Sequence, residues 1–172
     1  MSDPGFKPLN IAVLTVSDTR SEAEDRSGRR LADALEGAGH ALAEKAIVRD
    51  DVYAIRAAVS RWIADPEIDA VLSTGGTGIT GRDGTPEAVT PLLDKVIDGF
   101  GETFRALSFE EIRTSTIQSR ALAGVANATF VFVLPGSAGA CRLAWEALIR
   151  HQLDARTRPC NLVELMPRLN ER

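Results

Sequence analysis

Residues that commonly serve as soft metal ligands or nucleophiles are scarce in this chain. Its 172 residues include only two cysteines, Cys141 and Cys160, and two histidines, His40 and His151. Neither cysteine has a second Cys or His at a metal-ligand spacing, so zinc is not expected. Cys141 falls on the apolar stripe of an expected helix and reads as a packing residue, whereas Cys160 follows a proline in an Arg-rich tail and carries no signal. The histidines fall at a helix-to-strand junction and a helix end, with no local Ser, Asp or Cys pattern that would make either one a catalytic base.

Long apolar runs and basic patches are also missing. IAVL and FVFVL are far too short to span a bilayer, and MSDPGFKPLN lacks the charged start and apolar stretch of a signal peptide. A cytoplasmic protein without a membrane partner is expected. The formal charge of −4 is spread over mixed acidic and basic residues, which gives no surface to neutralise a nucleic-acid backbone. No nucleic-acid partner is expected either. There is no internal repeat or low-complexity tract, and 172 residues at 44% hydrophobic suit one core. The chain therefore reads as a single domain over residues 1–172, with residues 1–8 and 162–172 as flexible or peripheral tails.

What is present is a regular alternation of strand-like and helix-like segments. Ile11 to Val16 is a continuous apolar run, as expected of a strand covered on both faces. Ser27 and Gly28 lead into RRLADALEGAGH, where Leu31, Leu35 and Ala38 line one face and Gly39 closes the helix. A second strand spans about Ala41 to Val48, and Val52, Ile55, Val59, Trp62 and Ile63 then recur at helical spacing until Asp65-Pro66. Asp51 reads as the N-cap of that helix. The third strand is Ala70 to Ser73. After a long loop, Thr85 is the expected N-cap of a helix that begins at Pro86. Gly99 to Asn127 reads as further helices, Thr129 to Leu134 as a buried strand, and the segment after Pro135-Gly136-Ser137 as a helix with Cys141, Ala144, Trp145, Leu148 and Ile149 on one face. This order predicts an α/β fold of three layers, a mostly parallel sheet with helices on both faces. Ligands of such folds sit beyond the carboxyl ends of the strands, so the turns after the strands become the candidates.

The longest of these turns lies in LSTGGTGITGRDGTPEAV, Leu72 to Val89, which holds five glycines, five hydroxyl side chains and one aspartate. Gly76-Thr77-Gly78-Ile79-Thr80-Gly81 matches the G-x-G-x-x-G dinucleotide pattern literally. However, Gly84 and Pro86 delay the helix, and no acid-ended strand follows about 20 residues on, so NAD is not expected. The Gly-Lys-Ser/Thr of a Walker A loop is absent. Consecutive glycines can still aim several N–H groups at one oxyanion, and Thr74, Thr77 and Thr80 can add hydroxyl donors. Asp83 beside such a cradle has two readings. It shapes the turn through its own backbone bonds, or a cation such as Mg²⁺ lies between it and a phosphate. Asp18 and Asp50 end the first two strands, so three carboxylates and a glycine loop are expected on one edge. That set suits metal-assisted phosphoryl or nucleotidyl transfer, in which positioning and charge neutralisation do most of the catalysis.

TGGTG followed by D-x-TPEA, together with VLTVSDTR near the start, resembles the Mog and MoaB family of molybdenum cofactor biosynthesis proteins. GFGETFRALSFEEI, STIQSRALAGVAN, PGSAGACRLAWEALI and QLDARTRPCN resemble the MoaB branch, and the likeness runs from about Asn10 to Asn161. The resemblance implies a molybdopterin-binding α/β fold and a cytoplasmic homo-oligomer, hexameric in the MoaB branch and trimeric in the Mog branch. Other molybdenum cofactor enzymes are implied as further partners. It implies transfer of AMP from Mg·ATP to the terminal phosphate of molybdopterin, with release of pyrophosphate.

Residue by residue, the resemblance gives Asp50 and Asp83 the catalytic and metal-holding roles. Gly75, Gly76, Thr77 and Gly78 would hold phosphate, and Ser108 and Ser119 would contact the pterin side. Pro135 and Gly136, with Ser137 in the same turn, would line the nucleotide end, while Ser17 and Asp18 would sit at the mouth. One departure stands out. Mog-branch sequences carry an Asn two residues before the Pro-Gly turn, whose amide could meet the nucleotide, and this chain has Val133 there.

Overall fold

Successive side chains of a strand point to opposite faces, and the first strand, β1 (Asn10–Val16), is apolar on both. Ile11 and Val13 enter one hydrophobic core, while Ala12, Leu14 and Val16 enter a second on the other side of the sheet. A strand buried twice over belongs in the middle, and β1 is interior. The computed structural model describes residues 5–171, so residues 1–4 of the expected first tail and residue 172 of the second lie outside the described residues.

The other strands are β2 (Ala41–Val48), β3 (Ala70–Thr74), β4 (Lys95–Val96), β5 (Leu122–Ala126) and β6 (Thr129–Leu134). They form one sheet in the order β2-β1-β3-β6-β5-β4. The pairs β1/β2, β1/β3 and β3/β6 are parallel, and β5 and β4 continue the sheet antiparallel. Helices α1 (Arg26–Gly37), α4 (Asp98–Ile112) and α5 (Ala138–Ala144) bury Leu31, Leu35, Phe104 and Cys141 in the first core. Helices α2 (Val52–Ile63) and α3 (Thr85–Val89) bury Ile55, Val59, Trp62 and Val89 in the second. The expected three-layer α/β arrangement is therefore present. Among the described residues no helix is long and apolar enough to cross a membrane.

Several boundaries differ from the sequence reading for local physical reasons. Ser27 and Gly28 lie inside α1, because Asp25 caps it by accepting the Gly28 N–H at 2.9 Å. Asp51 does cap α2, accepting the Ala54 N–H at 2.8 Å. Thr85 is not a cap. It is the buried first residue of α3, and its hydroxyl donates to Gly75 O at 2.8 Å. The span read as helical to Asn127 ends earlier: a 3-10 turn (Arg113–Gln118) follows α4, and β5 then pairs antiparallel with β6. Asn127 and Ala128, at φ 46° and 66°, make the two left-handed residues of that tight hairpin. After α5 the helix widens into a π segment, Trp145–Ile149, and closes with α6 (Arg150–Gln152). Beyond it a 3-10 helix, Val163–Arg168, buries Val163 against the first core.

The sheet register decides what the loops can do. Val16 pairs with Val48, Thr15 with Thr74, and Thr74 with Leu134. Four carboxyl ends thus finish at one edge, and the turns from Ser17, Arg49, Gly75 and Pro135 open side by side.

A candidate active site at the carboxyl edge of the sheet

The glycine loop turns sharply where it leaves β3. Gly75 and Gly76 have φ of +105° and +64°, in the left-handed region that disfavours side chains. A Cβ on Gly75 would lie 2.1 Å from the Val16 carbonyl oxygen, and one on Gly76 would lie 2.3 Å from Thr85 Oγ1 and 3.0 Å from Asp50 Oδ2. The turn therefore brings bare backbone against the Asp50 carboxylate. Further on, Asp83 Oδ2 accepts the Thr80 N–H at 2.9 Å and the Thr80 hydroxyl at 2.6 Å, which folds the loop tip back on itself.

Beside this loop lies a cavity of about 580 Å³, a volume usual for a small-molecule site. Nine residues named from the sequence line it. Gly76, Thr77, Gly78 and Asp83 come from the glycine loop, Ser108 from α4, Ser119 from the segment after the 3-10 turn, and Pro135, Gly136 and Ser137 from the turn after β6. The Ser119 hydroxyl oxygen is buried without a hydrogen-bond partner among the described residues. Ser137 Oγ accepts the Ala140 N–H at 3.1 Å and so caps α5.

The remaining named residues, Asp50 among them, lie off the cavity wall. Thr74 is buried beneath it, and its hydroxyl donates to Pro135 O at 2.9 Å rather than to any ligand. The Gly75 N–H is likewise taken by Leu134 O at 3.0 Å, so it is not a free phosphate donor. Ser17 Oγ accepts the Arg20 N–H at 3.2 Å and shapes the first turn. Asp18 sits at the mouth, where Oδ1 accepts the Asp50 N–H at 3.2 Å and Oδ2 pairs with Arg82 at 2.5 Å. The Thr80 hydroxyl, read as a phosphate donor, is engaged by Asp83 instead. Val133 is fully buried in the second core, on the sheet face away from the cavity-lining Phe104 and Leu143, so its side chain forms no part of the wall.

The electrostatics of the edge are uneven. Burial, joined by repulsion from Asp83 and Asp18, pushes the Asp50 carboxyl above its ordinary range, against the Gly84 N–H that donates to Oδ1 at 3.3 Å. Asp83 is held below that range, chiefly by the Thr80 hydroxyl, with the Thr80 and Gly78 N–H groups and Arg120 assisting against burial. Among the described residues no group of three or more His, Cys, Asp or Glu is arranged to hold a metal by itself. Mg²⁺ does not need such a cage, because it is commonly held by one or two carboxylates and completed by substrate phosphates. Asp50 and Asp83, two hard oxygen donors that repel each other across a glycine backbone, fit that pattern.

Sequence reasoning missed other residues here. Arg20 lines the cavity and donates to Gly136 O at 3.0 Å and Ser27 Oγ at 2.8 Å. Glu111 lines it while pairing with Arg142 at 3.0 Å. Arg120 grips the glycine loop from outside the cavity, with Nε 2.8 Å from Gly78 O. Arg20 and Arg120 stand in quoted segments, SDTR and STIQSR, but only the fold reveals their partners.

Comparison with known proteins matches this chain to a family model described as a probable molybdopterin binding domain, over residues 12–155. It is similar to molybdenum cofactor biosynthesis protein B of Escherichia coli strain K12, with 60% identity over 156 residues, covering 91% of this chain and 92% of that one. A crystal structure of a molybdenum cofactor biosynthesis protein B superposes with a TM-score of 0.83 at 47% identity, covering 86% of this chain and 92% of the other. The crystal structure of the tungsten cofactor synthesizing protein MoaB from Pyrococcus furiosus gives 0.75 at 39% identity, covering 83% and 91%.

Proposed function

The chain belongs to the MoaB-type family of molybdenum cofactor biosynthesis proteins, and from that membership we propose that it binds molybdopterin in its cavity and adenylylates the terminal phosphate with Mg·ATP. The observation that carries the proposal is the shared wall: Gly76, Thr77, Gly78 and Asp83 face the same cavity as Ser108, Ser119 and Pro135. A phosphate cradle is thus joined to a largely apolar pocket for an organic ring, with Ser108 and Ser119 on its wall, and to a second turn for a nucleotide.

In the proposed reaction an oxygen of the molybdopterin phosphate attacks the α-phosphorus of ATP. The new P–O bond forms as the bond to the β-phosphate bridging oxygen breaks, and pyrophosphate leaves with that oxygen. The loop N–H groups orient the acceptor phosphate, and the Ser108 and Ser119 hydroxyls fix the pterin. Asp50 and Asp83 would hold Mg²⁺, which supplies charge neutralisation for the phosphates when bound. No side chain has to transfer a proton, since a phosphate oxygen is already a nucleophile at neutral pH. The test is formation of adenylylated molybdopterin from purified protein, molybdopterin and Mg·ATP; no product under conditions where molybdopterin binds would remove the catalytic claim.

A carrier without chemistry is the second reading, and one observation favours it. Asp83 already has a structural occupation in closing the loop onto Thr80. Calorimetry separates the two, because a carrier binds molybdopterin but not ATP. A cytoplasmic homo-oligomer, a hexamer before a trimer, and contacts with other cofactor enzymes complete the proposal. Phe109, Ile112 and Ile117, exposed at 43%, 50% and 79%, support association.

A further inference from the structure

Arg120 leaves the segment next to Ser119 and reaches the outside of the glycine loop. Its Nε donates to Gly78 O at 2.8 Å and more weakly to Thr77 O at 3.4 Å, and its Nη2 donates to Asp83 O at 3.0 Å. Nη1 contacts the Glu87 carboxylate at the start of α3. One rigid planar fork therefore holds three carbonyls of a single loop.

A trans peptide is planar, and its C=O and the following N–H point in opposite directions. Drawing the carbonyls of Thr77, Gly78 and Asp83 toward Arg120 turns the N–H groups of Gly78, Ile79 and Gly84 the other way. Two of these meet the carboxylates of the site. The Gly84 N–H donates to Asp50 Oδ1 at 3.3 Å, and the Gly78 N–H is a backbone donor to the Asp83 carboxylate. Gly78 is also so close to Asp83 that an added Cβ would lie 2.6 Å from its Oδ2. We infer that Arg120 is a positioning residue that sets Asp50 and Asp83 by fixing the peptide planes between them. Its catalytic consequence rests on the reading given under the proposed function; the positioning itself does not. A lysine cannot reproduce it, because a single ammonium lacks the flat array of donors that spans three carbonyls.

The competing account is that Arg120 merely ties the 3-10 wall to α3 through Glu87. The full-length chain, ¹⁵N-labelled, distinguishes the two in three forms: unsubstituted, Arg120→Lys and Glu87→Gln. Arg120→Lys is expected to keep a cooperative melt, to move the Gly78 and Gly84 amide resonances, and to weaken Mn²⁺ binding, read by electron paramagnetic resonance, by roughly 10- to 100-fold, as substitutions just outside a metal's ligands do. Glu87→Gln is expected to change neither. Unmoved Gly78 and Gly84 amides in Arg120→Lys, or equal movement in Glu87→Gln, would overturn the inference. If the unsubstituted chain binds no Mn²⁺ while Arg120→Lys still moves both amides, the positioning stands and the metal role of Asp50 and Asp83 fails. Arg120→Gln provides the same amide comparison where the lysine variant does not fold.

Discussion

Asp18 Oδ1 accepts the backbone N–H of Asp50 at 3.2 Å, so the turns after the first and second strands are joined by a carboxylate. Its other oxygen takes Arg82 from the glycine loop at 2.5 Å. Asp18 therefore links three turns, and with both carboxylate oxygens already engaged it organises the mouth rather than serving as a ligand. Asp50 sits in the field of both other aspartates, with Arg82 opposing them. This imbalance is what a bound divalent cation would relieve.

Unequal losses are accordingly expected from three matched substitutions. Asp50→Asn and Asp83→Asn should each lower adenylylation by more than about 100-fold, beyond the usual effect of groups outside a metal's ligands. Asp18→Asn should cost about 10-fold or less, because its surface ion pair with Arg82 is weak and the amide oxygen can still accept the Asp50 N–H. Steady-state rates of product formation decide this, and a loss for Asp18→Asn equal to the other two would contradict the division of roles.

The bend of the glycine loop makes its own prediction for stability. Gly76→Ala forces a left-handed side chain against Thr85 and should destabilise by about 1–3 kcal/mol. Gly75→Ala should cost more, since its Cβ would meet the Val16 backbone oxygen at 2.1 Å and backbone cannot rotate aside as a hydroxyl can. Urea denaturation of both variants tests the order, and a Gly75→Ala protein as stable as the parent would show that the turn relaxes easily.

How far this site was legible in the sequence depends on the kind of signal. The interior strands and α2 show themselves because buried strands are continuously apolar and the α2 stripe has helical period. Asp50, Asp83 and the glycines show themselves through their place after strands. Strand β5 does not, because Leu122–Ala126 reads LAGVA, with Gly and Ala that favour no strand, and its position comes from pairing with β6. Gly124 faces Leu93 and the Lys95 carbonyl, where an added Cβ would lie 2.6 Å from each, so a neighbouring segment fixed that residue. Arg120 is missed, and the partner of Thr74 is not foreseen, for a related reason. A hydroxyl or a guanidinium names a donor, but which carbonyl it meets depends on residues tens of positions away.

The apolar surface of α4 and the following 3-10 turn bears on assembly. Ile112 lines the cavity rim and Ile117 is exposed nearby, so burial of this strip against a second copy would also narrow the site. Sedimentation at micromolar concentration should show a hexamer or trimer, and Ile112→Glu with Ile117→Glu should shift it toward monomer. A monomeric parent chain, or a doubly substituted chain that assembles unchanged, would place any contact elsewhere.

Cys141 gives the fold a dependence on alkaline pH. Its thiol is buried under the loop, 3.2 Å from Thr74 Oγ1, and burial pushes it up from 9.0 to about 11, with the Thr74 contact opposing. Between these values the unfolded chain has released the proton and the folded chain has kept it. The folded state is then the better proton binder, so stability falls as pH rises. The contribution is fully present below pH 9 and is lost as pH passes through about 11. At about 1.4 kcal/mol per unit, the loss is on the order of 2 to 3 kcal/mol. Cys141→Ala lacks this thiol, and the groups common to both proteins cancel in the comparison. The stability difference between parent and Cys141→Ala, measured by urea denaturation from pH 8 upward, should therefore shrink steadily above pH 9. A difference that stays constant to pH 11 would mean that the thiol reaches water in the folded state, and a thiol reagent should then label Cys141 as fast as the exposed Cys160.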